Sequence, residues 1–173
     1  MFDQAYIDYL AHFHGTRDYF ECHELLEERW KEDTPLDKNA VWVGLIQLAV
    51  SLYHHRRNNF IGAKRTIEKA ETILTSHYNI LGQYGLDAKA LLSKIDLIRE
   101  RIDQHKPYKS IELPILSPEL KEAASLRCKE WGISYNTPSN LDDVSIVHRH
   151  SMRDRSDVIQ ERKDALVERQ KNR

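Results

Sequence analysis

Glycine and proline are scarce in this chain, six and five among 173 residues. Three of the prolines, Pro107, Pro114 and Pro118, crowd into one twelve-residue stretch, the one strong interruption of an otherwise helical periodicity. Cysteine is scarcer still. Cys22 and Cys128 lie far apart and form no CxxC pair, which suits a reducing compartment better than a disulfide framework, so a cytoplasmic protein is expected. Long hydrophobic runs are absent. The best candidate, Val41 to Tyr53, is interrupted by Gln47 and Ser51 and falls short of the ~20 apolar residues of a membrane span. Neither sign of charge dominates: 26 Lys plus Arg stand against 27 Asp plus Glu, a net of -1, so neither nucleic acid nor a membrane surface is an expected partner. Met1 to Leu10 carries Asp3 and Asp8 and has neither the basic nor the apolar region of a secretory signal, so no export is expected.

What is present is helical pattern. Phe2, Tyr6, Ile7, Leu10 and Phe13 share one face and predict a helix over about 3–14. Asp18 with Glu21 has the spacing of a capping box, with Thr16 as an alternative cap, and opens a second helix to about Lys31. Val41 to Tyr53, apolar on nearly every side, predicts a central helix surrounded by others, closed by the polar cluster His54 to Asn59. A fourth helix carries Ile61, Ala63, Ile67, Ala70, Ile73 and Leu74. A fifth, capped by Asp87, carries Leu91, Ile95, Ile98 and Ile102. Ser117, Pro118 and Glu119 start a short sixth helix to about Trp131. The fold class is therefore all-α: a bundle of about five helices over residues 1–106, then a proline-containing connector, a short helix and a charged helical extension over 107–173. From Arg149 onward eight basic residues face five acidic ones, beside a thin apolar edge of Val158, Ile159, Leu166 and Val167. That edge reads either as a solvated helix or as a docking helix for a protein partner or a second copy, since four aliphatics in a strip could not anchor it alone.

Chemistry concentrates in Phe20 to Trp30. His23 and Glu27 stand four apart and point the same way, with Glu24 alongside and Trp30 one turn further. Two such side chains on one helix can hold a divalent ion if further donors join them, and Gln47, His54 and Glu24 are the second-rank candidates. Gln47, the lone large polar side chain in the central run, is expected to be buried and to bond Glu27 or His23. A purely structural His-Glu-Gln network is the competing reading, under which His23→Ala costs about 1 to 3 kcal/mol. A metal-free acid/base pair is the third. The zinc-protease HExxH is absent because His-Glu-Leu-Leu-Glu lacks the second histidine. No nucleophile, phosphate loop or cofactor fingerprint is found, so an enzyme ranks last. The basic cluster His54 to Asn59 fits a helix cap or an anion contact.

Phe20 to Trp30, then Gly44-Leu45-Ile46-Gln47-Leu48-Ala49, then Tyr53-His54 and Asn59 with Gly62-Ala63, together resemble the bacterial and archaeal domain-of-unknown-function family 309. The resemblance covers about residues 5–80. It implies a small helical bundle and a His-xxx-Glu-xx-Trp motif, here His23, Glu27 and Trp30, for which metal binding has been suggested. Two functional readings stand: a module binding a divalent metal at His23 and Glu27, and a non-enzymatic interaction module whose C-terminal helix docks a partner.

Overall fold

The computed structural model describes residues 1–149 and 156–171. Helices α1 (Gln4–Ala11), α2 (Tyr19–Lys31), α3 (Val41–Arg56), α4 (Phe60–Ser76) and α5 (Ala88–Asp103) form the bundle. They are followed by α6 (Pro118–Glu130), the short α7 (Val144–Val147) and α8 (Ser156–Lys171). The fold is all-α. Side chains start most of these helices: Asp3 accepts from Ala5 N–H at 2.9 Å, Asn59 from Gly62 at 3.0 Å, Asp87 from Ala90 at 3.0 Å and Ser117 from Leu120 at 3.2 Å. Asp18 accepts from Glu21 N–H at 3.1 Å, but the Glu21 carboxylate takes Arg149 rather than completing the capping box.

Each helix packs on its predecessor, α1 on α2, α2 on α3, α3 on α4 and α4 on α5, while α6 returns to lie against α1. The apolar α3 is the centre, with Leu45, Leu48, Ala49 and Leu52 wholly buried. Its contact with α4 is close because residue 44 has no side chain: a Cβ there would lie 2.7 Å from Leu74 Cδ2. Burying the fully enclosed leucines and isoleucines contributes about 1.5–3 kcal/mol each. Tyr6 and Tyr9 are buried to the ring, and their hydroxyls donate to the carbonyls of Tyr84 and Leu45 at 2.7 and 2.8 Å, so no buried O–H is left over. In α5 the expected stripe Leu91, Ile95, Ile98 and Ile102 is the buried one.

Two helix ends differ from the sequence expectation. Helix α1 stops being regular at Ala11, and the chain widens into a π-turn over His12–Thr16 before Arg17 leaves it with φ 57. The turn delivers His14 to the interior, where Nδ1 bonds the Leu10 carbonyl at 2.8 Å and Nε2 accepts the Leu113 N–H at 3.0 Å. Helix α3 runs on through the expected polar stop to Arg56. Tertiary partners make this possible: the His55 ring bonds the Lys106 carbonyl at 2.8 Å, and the Arg56 guanidinium sits 4.7 Å from the Tyr19 ring centre and donates to the Arg17 carbonyl at 2.7 Å. Of the two readings of this basic cluster, a helix cap or an anion contact, neither describes Arg56, which is a buried strut.

After α5 the chain folds back. Leu113 is buried, Ile115 makes an isolated antiparallel bridge to Leu86, and Asp87 N–H donates to the Pro114 carbonyl at 2.9 Å. Beyond α6, Thr137 N–H reaches the His14 carbonyl at 3.0 Å, and Arg149 pairs with Asp18 and Glu21 at the start of α2. On α8, Leu166 and Val167 are exposed, while the side chains of Val158 and Ile159 lie outside the described residues. No described helix is long and apolar enough to cross a membrane.

Candidate functional site

Helices α2 and α4 both pack on α3 rather than on one another, and the gap between them is a groove of about 740 Å³ with α3 as its floor. Each helix lends one face at three- and four-residue spacing. Helix α2 contributes His23, Glu27 and Trp30; α3 contributes Val43, Ile46 and Gln47; α4 contributes Arg65, Glu68, Lys69 and Thr72, with Lys38 and Asn39 at the rim.

On the α2 wall, His23 Nε2 lies 2.9 Å from Glu27 Oε2, and the second carboxylate oxygen takes Lys31 Nζ at 3.2 Å. Both members of the His-Glu pair remain about a third open, at 28% and 32% exposure. Such a pair contributes no more than about 0.5 kcal/mol. The loss of 1 to 3 kcal/mol expected for a buried network therefore does not apply. Gln47 is half-buried in the groove floor rather than enclosed, and no hydrogen bond ties it to His23 or Glu27 among the described residues. The Phe20 ring packs against His23, with centroids 5.7 Å apart. Trp30 has a positioning role: its indole N–H donates to the Asp37 carbonyl at 2.8 Å, pinning the loop that carries Lys38 and Asn39.

Of the sequence candidates, His23, Glu27 and Gln47 meet in this groove. His54 does not: it lines a smaller adjoining hollow of about 180 Å³ with Tyr19, Phe20, Val50 and Tyr53, reached by His23 from the other side. His54 Nδ1 is instead 3.2 Å from Asn59 Nδ2. Glu24 is half-buried and lines neither space. Among the described residues no group of three His, Cys, Asp or Glu side chains converges as a metal site would require. Sequence reasoning missed the α4 wall. Arg65, Glu68, Lys69 and Thr72 do fall at helical spacing opposite that helix's apolar stripe, but nothing in the pattern says that this polar face turns toward α2.

The family described as Domain of unknown function (DUF309) matches residues 6–66, which span α1 to α3 and the first part of α4 and include His23, Glu27, Trp30, Gln47 and Arg65. Uncharacterized protein YpuF of Bacillus subtilis (strain 168) is 46% identical over 173 residues, covering 100% of this chain and 99% of that protein. The chain belongs to the DUF309 family. No solved structure matches it. Because the YpuF likeness runs the whole length, it takes in α5, the connector and α6, and not just the DUF309 segment. Within DUF309 terms, the His-xxx-Glu-xx-Trp motif is the α2 wall of the groove.

Proposed function

We propose that this DUF309 protein is a binding module that takes a small polar anion in the groove between α2 and α4. The observation that carries the reading is the meeting of the His23–Glu27 pair with Arg65 and Lys69 of α4, joined by Lys38, across one open space in which these three cations outnumber the carboxylates of Glu27 and Glu68. The volume lies in the range of small-molecule sites, and the apolar surface of Val43 and Ile46 on the floor and Ile73 on the α4 wall, with a few polar groups above it, has their usual make-up. A carboxylate or phosphate there would be met by guanidinium and ammonium donors. His23, held by Glu27 at 2.9 Å, would present its ring to the ligand from the α2 wall. The test is a phosphate and citrate titration followed by amide NMR. Shifts centred on residues 23–30 and 65–72 that saturate, and that vanish in Arg65→Glu/Lys69→Glu, are the expected result. Shifts scattered over the surface, or unchanged in that variant, overturn it.

A divalent ion on His23 and Glu27 is the second reading. Their N···O separation of 2.9 Å suits two donors on one ion, yet two protein donors fall short of the three that catalytic zinc sites use. Metal content by mass spectrometry on untagged protein, beside His23→Ala and Glu27→Ala, decides it: about one equivalent lost in both variants supports the ion, and none in any of the three removes it. A docking role for α8, on a partner or a second copy, is a separate proposal that rests on the exposed Leu166 and Val167. A reducing, cytoplasmic setting agrees with all three, since Cys22 and Cys128 are buried free thiols.

A further inference from the structure

The connector after α5 is held to the bundle through its carbonyl groups. His55 Nε2 bonds the Lys106 carbonyl at 2.8 Å, Arg101 Nη2 the Pro107 carbonyl at 2.6 Å and Lys94 Nζ the Glu112 carbonyl at 2.6 Å, while Arg17 bonds that of Ile111. Its amides behave differently. Among the described residues, the backbone N–H groups of Tyr108 to Glu112 donate to no protein acceptor. Beneath this strap, against α5 and the last turns of α3, lies a second cavity of about 570 Å³.

Its chemistry is two-sided. Leu97 and Ile111 supply the accessible apolar surface, Leu97 being 61% exposed at the mouth, over the buried Leu52 and Ile98. Lys94, Arg101, Lys106 and Lys109 supply four positive charges against two from Glu100 and Glu112, a local excess of two. Among the described residues none of the four cations enters an ion pair. The bonds that Lys94 and Arg101 make to carbonyls leave donors over: an ammonium has three and a guanidinium five. Unneutralised cations beside apolar surface in a concave, small-molecule-sized space match a ligand with a charged head and a hydrocarbon body. None of the lining residues is shared with the His23 groove.

We propose that this cavity binds one amphipathic anion, an acyl carboxylate or alkyl phosphate, with its chain against Leu97 and Ile111 and its head among Lys94, Arg101, Lys106 and Lys109. Lys106 and Lys109 are exposed and, among the described residues, make no side-chain hydrogen bond, so reversing their charge should leave the fold intact. The test is titration calorimetry of the full chain with decanoate, decyl phosphate, decanol and inorganic phosphate, each below its aggregation concentration. Saturable one-to-one binding of decanoate or decyl phosphate is expected, the tighter of the two naming the head group. At least a tenfold loss is expected in Lys106→Glu/Lys109→Glu, with no change in Arg65→Glu/Lys69→Glu. Decanol, and inorganic phosphate titrated into Arg65→Glu/Lys69→Glu so that the His23 groove does not contribute, should each bind at least tenfold more weakly. Equal affinity for decanol, equal affinity for inorganic phosphate in that variant, no saturable binding of either amphiphile, or an unaffected Lys106→Glu/Lys109→Glu variant overturns the proposal. A loss confined to Arg65→Glu/Lys69→Glu overturns it as well and assigns the amphiphile to the His23 groove.

Discussion

His14 should make this protein's stability depend on pH in a calculable way. The side chain is wholly buried, its ring stacked on Tyr135 with centroids 4.9 Å apart. Nε2 accepts the Leu113 N–H, so the proton must sit on Nδ1, where it is donated to the Leu10 carbonyl. A second proton would point at a donor, and burial disfavours the charged ring, which lowers its pKa to about 4 against an ordinary value of about 6.5. In the unfolded chain His14 takes its proton first, so the contribution is fully present above about pH 6.5 and is lost as pH falls from there toward about 4. Between about pH 7.5 and about pH 5 the loss works out at about 2 kcal/mol. For a chain of this length that lowers Tm by about 4–8 °C. The assay is calorimetric melting at both pH values for the wild type and His14→Gln, whose amide oxygen can still accept from Leu113 but cannot titrate. His12 and His55, also lowered mainly by burial, titrate in both proteins and cancel in the difference. NMR titration of the wild-type ring checks the same point without a variant. Equal pH dependence in the two proteins, or a folded His14 titrating near pH 6.5, would refute the reasoning.

Three further outcomes are expected. Gly44→Val should destabilise by about 1–3 kcal/mol in urea unfolding, because Leu74 Cδ2 and Ile73 Cγ2 lie 2.7 and 3.1 Å from any Cβ there; an unchanged midpoint would show that α4 can move away. Asp18→Ala should cost about 2 kcal/mol, from the lost cap on α2 and the lost Asp18–Arg149 ion pair, and Asp18→Ser should recover about half by restoring the cap; equal losses would place the whole effect in the ion pair. Truncation after Arg149 should leave Tm within about 2 °C, since the Arg149 contacts stay and α8 makes no extensive contact with another described element. A larger drop would show that α8 packs on the bundle. Light scattering on the same protein reads whether a second copy depends on α8.

Much of the architecture is already in the one-dimensional pattern. The stripe Leu91, Ile95, Ile98, Ile102 and the caps Asp18, Asp87 and Ser117 act over one or two turns, so local physics decides them and the structure agrees. The pairing of His23 with Glu27 is of the same kind, being set by helical spacing within α2. The end of α3 is not, because Arg56 continues the helix only on account of the Tyr19 ring and the Arg17 carbonyl, both distant in the chain. Nor is the π-turn at His12–Thr16, whose reason is a bond from His14 to Leu113, ninety-nine positions away.

The same division runs through the site. The sequence alone determined one wall, His23, Glu27 and Trp30, and named Gln47 as a partner from the helix beside it. Tertiary structure decided that Gln47 would lie half-open in a floor rather than sealed in a network, and that Arg65 and Lys69 would stand opposite. The physical reason is that α2 and α4 are held apart by the width of α3, a distance that depends on Gly44 and on which faces pack. No periodicity within a single helix carries that information.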